Sequence, residues 1–200
     1  PMDHPWIDSA RRLGICLGKE FEEQGMAFPR FWDSASTIAD LCAFSAKRLQ
    51  LMEADQPYIL GLFHDVGIPL MARGFANYME VLKQANQADT ALFTDTEDAC
   101  YQINHAVIGC VVSNEWGIAE SIRNVILSHH DVEAFFHFDE SGGRDSRLLA
   151  LLKIAELGNS KLRTGAADSD WKRFGSQVLD FLGIDEAELG RLFIEFKSQR

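Results

Sequence analysis

The chain has 200 residues, 46% hydrophobic and 24% charged, which is enough for one domain with a substantial core. Acids outnumber bases, 30 to 19, and the formal net charge of −11 argues against a general affinity for nucleic-acid backbone or anionic lipid. No apolar run reaches bilayer-spanning length and nothing at the start reads as a secretion signal, so a cytoplasmic protein is expected, with Met2 as its native start and Pro1 a cloning remnant.

Hydrophobic spacing predicts helices throughout. Ile7, Ala10, Gly14, Leu17 and Phe21 repeat at helical intervals over residues 7 to 23, and Gln24-Gly25 and Pro29 punctuate the end. Phe31-Trp32 opens a second helix, with Ile38, Leu41, Ser45 and Leu49 along one stripe and the small residues Ala35, Ala39, Cys42 and Ala46 beside it, a pattern suited to close helix packing. A third helix is expected from Pro57 to about Gly67, capped by Asp55 and broken by Gly67 and Pro69. Pro69 to Met71 then reads as a short turn, Phe75 to Ala85 as an amphipathic helix, and residues 86 to 96 as a polar loop.

From a cap at Thr94 or Asp95 one helix is expected to run to Trp116, with Glu97 and Asp98 in its first turn and Gly117 at its end. Ala119 to His130 forms the next helix. Residues 139 to 146 are the clearest loop, Leu148 to Leu157 is strongly apolar and helical, and Asp168 or Ser169 caps a helix from Asp170 to about Leu182. Ile184-Asp185 starts the last one, completing two C-terminal helices over 165 to 200. With no repeat and no run of alternating strand pattern, the expectation is all-α, one compact domain over 1–200. Cys16, Cys42, Cys100 and Cys110 have no C-x-x-C spacing and read as reduced core cysteines of a cytosolic protein.

Four of the six histidines carry the functional signal. His4 and His137 have no special context, but His64, His105, His129 and His130 each fall where a helix turns toward the core, accompanied by Asp65 and Glu156. An adjacent His-Asp pair alone reads as a core histidine and a cap. Four inward imidazoles from three predicted helices, with acids beside them, favour a shared site, because buried polar rings are costly unless paired or metal-bound. Imidazole plus carboxylate suits zinc, iron, manganese or nickel, and a hydrogen-bonded polar core without metal is the plainer alternative.

Phe31-Trp32 before a small-residue helix, Gly61-Leu-Phe-His-Asp-Val-Gly67, His105-Ala-Val-Ile-Gly109, Trp116-Gly-Ile and His129-His130 resemble, in order and spacing, the HDOD family, a bacterial branch of the HD superfamily of metal-dependent phosphohydrolases. The resemblance runs from about residue 7 to residue 160. It implies an HD-type helical domain serving as a signalling or regulatory module, with a protein partner and with a small nucleotide as a second ligand class. Many family members begin with an additional helical region not seen here, so the chain reads as a minimal member or a truncation. Carried over from the related HD-GYP phosphodiesterases, one metal set, Asp65, His105, His129 and His130, is intact. The other would need a histidine near Ser34, then His64, Asp65 and an aspartate where Glu156 stands. Ile68 replaces the lysine that active relatives place after the motif glycine, and no Gly-Tyr-Pro follows His130. The resemblance thus implies one divalent ion rather than two and little or no catalysis. The competing expectation is a phosphohydrolase acting on a nucleotide or cyclic dinucleotide.

Overall fold

A computed structural model describes residues 29–86, 92–133 and 143–199. Regular structure among them is helical throughout: α1 Pro29–Arg48, α2 Asp55–Phe63, α3 Gly67–Gly74, α4 Tyr78–Ala85, α5 Phe93–Tyr101, α6 His105–Glu115, α7 Glu120–Ser128, α8 Arg144–Thr164, α9 Ser169–Leu182 and α10 Glu186–Ser198. The all-α expectation holds. The helix expected over 7 to 23, His4, Cys16 and His137 lie outside the described residues.

The core forms around α8. Ser146, the whole run from Leu148 to Ala155, and Leu157 are buried, as expected of a helix surrounded on every side. Helices α1, α2, α7 and α9 pack against it, and α10 closes over α1. The alanine stripe of α1 lets α2 approach very closely: a Cβ on Gly61 would lie 2.7 Å from the Cα of Ala39. Helices α3 to α6 form the other side of the molecule, joined through α3 against α6 and α6 against α7. No described helix is long and apolar enough to cross a membrane.

Several helix ends differ from the sequence reading. Ala54 occupies the N-cap of α2, and Asp55 is the first helical residue. Pro69 to Met71 are not a turn but lie inside a helix. A short turn after Phe63 leads straight into α3, with Gly67 its first residue and Pro69 its third, where the missing N–H forgoes no helical bond. The single helix expected up to Trp116 is two. It stops at Gln102, which adopts the left-handed φ of 57°, and restarts after Asn104, whose side chain accepts from the Val107 N–H. The N-cap before α5 is Leu92, with the Asp95 carboxylate accepting from its N–H at 2.9 Å. Helix α8 begins at Arg144, so residues 144 to 146 belong to its first turn and not to a loop; Asp145 there faces the positive end of the helix dipole. Asp168 and Asp185 cap α9 and α10 as their spacing suggested, and Gly165 and Gly183 end α8 and α9 at positive φ. Of the described cysteines, all free, Cys42 is buried, but Cys110 is half-buried and Cys100 exposed, so the core reading fails for Cys100.

Candidate metal centre

The histidines sit at helix ends, which gives each ring a backbone or acidic neighbour. His64 and His129 are the C-caps of α2 and α7, and both rings fold back in the same way. His64 Nδ1 donates to the Gly61 carbonyl at 2.9 Å and His129 Nδ1 to the Ile126 carbonyl at 2.7 Å. His105 opens α6, and its Nδ1 donates to the Glu97 carboxylate at 2.6 Å. His130 Nδ1 donates to Asp170 at 3.1 Å. A carbonyl or carboxylate can only accept, so each Nδ1 carries a proton and each neutral ring presents its Nε2 lone pair inward.

Those lone pairs converge. One atom each from Asp65, His105, His129 and His130 lies within 4.8 Å of all the others. His130 Nε2 is 3.1 Å from His105 Nε2, and Asp65 Oδ1 is 3.3 Å from His129 Nε2 and 3.5 Å from His105 Nε2. Donors held at about 2.0–2.2 Å from one divalent ion are separated by about 3–3.6 Å, so the spacing fits an ion. Asp65 Oδ1 and His129 Nε2 are buried and have no hydrogen-bond partner, as two lone pairs facing each other would be. This cluster can hold a metal ion.

Residues 13–132, more than half the chain, match the family model of the HDOD domain. The chain belongs to the HDOD domain family. No curated protein matches it. Among solved structures, the HDOD chain is similar in fold to a candidate phosphohydrolase from Shewanella amazonensis SB2B, at 20% identity and a TM-score of 0.62, over 86% of this chain and 60% of that one. An HDOD domain protein of unknown function from Geobacter sulfurreducens gives 18% identity and a TM-score of 0.48, over 81% and 62%. The chain therefore spans less than two thirds of the length of either protein.

The six residues singled out in the sequence do come together in the HDOD chain, but not as one ring of equal members. His64 Nε2 lies 3.2 Å from Asp65 Oδ2, on the far side of that carboxylate from the four-donor cluster, and 3.7 Å from Glu156 Oε1. Glu156 gives its other oxygen to Lys153, at 2.9 Å. His64, Asp65, His130, Glu156 and Ile68 line a cavity of about 340 Å³, with Phe93 stacked on His130 at 4.9 Å between ring centroids. Ser34 lines a neighbouring cavity instead, where its hydroxyl accepts from Arg163 and donates to the Arg30 carbonyl at 2.8 Å.

Three residues essential to this arrangement were not read from the sequence. Glu97, fully buried, holds His105 and also accepts from the Tyr78 hydroxyl. Asp170 holds His130 and pairs with Lys153 at 2.7 Å. Lys153 is 2% exposed. Its place within Leu-Leu-Ala-Leu-Leu-Lys-Ile-Ala-Glu, three residues before Glu156, was a usable signal, because a lysine on an otherwise buried helix needs acids.

The electrostatics follow from these neighbours. Burial alone would raise the Asp65 carboxyl, but His64, His105 and His129 outweigh it and hold it well below the usual range. Burial lowers His105, yet Asp65 and Glu97 together lift it to about 9. His129 and His130 are lowered, first by burial and then by neighbouring positive charge that includes Lys153. Burial pushes Glu156 up to about 7 despite Lys153 and His64. Lys153 stays above its ordinary value because Glu156 and Asp170 outweigh its burial.

Proposed function

We propose that this HDOD chain is a regulatory module of a signalling pathway, acting through a protein partner. In this reading its Asp65, His105, His129 and His130 centre holds one divalent transition-metal ion and does not turn over phosphodiesters. Zinc, iron, manganese and nickel all suit three imidazoles and a carboxylate. Bound there, the ion would supply positive charge for an anionic ligand. The chain's own residues orient the donors: Glu97, the Ile126 carbonyl and Asp170 fix three rings by their Nδ1 atoms, leaving Nε2 free to bind.

The observation that carries the non-catalytic reading is the engagement of Ser34. Its hydroxyl is tied to Arg163 and the Arg30 carbonyl and lines a cavity other than the one at His64 and Asp65. Ile68 adds an aliphatic side chain to the wall of the main cavity, where a cation would be needed to stabilise charge on a phosphate.

A second reading, a phosphohydrolase acting on a nucleotide or cyclic dinucleotide, has the main cavity in its favour. At about 340 Å³ it is large enough for a small ligand. Its fold neighbour from Shewanella amazonensis is described as a candidate phosphohydrolase. The two readings separate in an assay of manganese-loaded protein on a panel of nucleotides, phosphodiesters and cyclic dinucleotides. Turnover no higher than that of Asp65→Ala is expected, with some activity gained by Ser34→His combined with Ile68→Lys. Robust parental turnover abolished by Asp65→Ala would establish the enzyme instead.

A further inference from the structure

Beside the four-donor cluster stand three more groups of ligand type. His64 Nε2 is 3.2 Å from Asp65 Oδ2 and 3.7 Å from Glu156 Oε1, and Asp170 reaches the same region from α9. These groups share Asp65 with the cluster and are the right chemistry for a second divalent ion. Yet among the described residues only the first cluster has its atoms at ion-holding spacing. The difference lies with Lys153. Its ammonium is 2.9 Å from Glu156 Oε2 and 2.7 Å from Asp170 Oδ2, and only 2% of the residue is exposed.

Two carboxylates that both reach one buried nitrogen would repel each other strongly without a cation between them. We infer that Lys153 is a tethered cation that satisfies the Glu156–Asp170 acid pair and thereby limits the centre to one divalent ion. This rests on the reading of Asp65, His105, His129 and His130 as a metal site. The lysine cannot leave, because its backbone lies in the middle of α8, within the buried run from Leu148 to Ala155. An ion entering beside it meets acids already neutralised and an ammonium that repels it. Asp170 Oδ2 also accepts from His130 Nδ1 at 3.1 Å, so the same ammonium borders the hydrogen bond that orients one donor of the occupied set. Lys153 is therefore a positioning residue that sets metal number.

The test is manganese stoichiometry, measured by elemental analysis after equilibrium dialysis of the full chain against Mn²⁺. The parent is expected to hold one ion. Lys153→Met, which keeps the chain length and removes the charge, is expected to hold two, and Mn²⁺ is expected to raise its melting temperature more than the parent's. Lys153→Arg should stay at one. Should Lys153→Met not fold, Glu156→Gln decides: one ion with affinity within about threefold of the parent is expected, because Glu156 serves the lysine and not the ion. Two ions in the parent, one ion in folded Lys153→Met, or a tenfold loss of affinity in Glu156→Gln would overturn the inference and leave the metal reading intact. No ion in the parent would overturn both.

Discussion

Each imidazole of the centre is fixed by an acceptor on its outer nitrogen, and of the two carboxylates among these acceptors Glu97 is the fully buried one. It accepts hydrogen bonds from His105 Nδ1 at 2.6 Å and from the Tyr78 hydroxyl, inside a shell with no exposure. Replacing it with glutamine keeps the volume but weakens the charge that orients and activates the ring. Glu97→Gln is expected to lower manganese affinity by about 10–100-fold, as read by competition with a chelator; an unchanged affinity would show that the ring is held by packing alone. The inner residues His64, Asp65, His105, His129 and His130 were legible in the sequence because polar side chains on inward helix faces are conspicuous. Their supports were not. Glu97 looks like an acid of a first helical turn, and Asp170 like one beside a cap, which are ordinary surface positions. Only the folded chain brings Glu97 beside a histidine eight residues on, or Asp170 beside one forty residues back.

Apart from α3, whose residues 69 to 71 read as a turn, helix existence was read well and helix ends less well, for a physical reason visible at Gln102. Nothing in that side chain announces a left-handed backbone, and the apolar spacing runs on across the break. The signal was Asn104 directly before His105, a good capping residue in what seemed a helix interior. The second missed junction, between α2 and α3, depends on Gly67. A Cβ there would lie 1.9 Å from the His105 carbonyl oxygen, so the His64-Asp65 segment and the start of α6 meet through bare backbone. Gly67→Ala must push those elements apart and is expected to cost about 3 kcal/mol, measured by chemical denaturation. Gly74, the last residue of the same helix, has nothing within 4 Å of its would-be Cβ. There alanine should instead add about 0.5–1 kcal/mol, since it narrows the unfolded ensemble without a clash. Equal effects at the two positions would rule out the close-approach account.

Across the whole molecule the centre ties together α2, α6, α7, α8 and α9, so ion binding should be felt as global stability. At one hundred times Kd a single ion contributes about 2.7 kcal/mol, which for a chain of this size corresponds to about 5–10 °C in melting temperature. The sign of its pH dependence follows from His105. That ring is lifted to about 9, so below this pH an ion must displace a proton to reach Nε2. The manganese-induced rise in melting temperature is therefore expected to be largest near pH 9 and to shrink as the pH falls toward 6. A rise that grows on acidification would contradict the assignment.

The family match ends at residue 132, whereas Lys153, Glu156 and Asp170 lie on α8 and α9. Where genes recombine, a boundary drawn at the end of the recognisable motif would leave behind α8, the helix around which the core forms, together with the acid that steadies one donor and the lysine beside it. A fusion made after residue 132 would thus inherit the family signature without the core that holds it. A junction placed beyond Leu182 carries both.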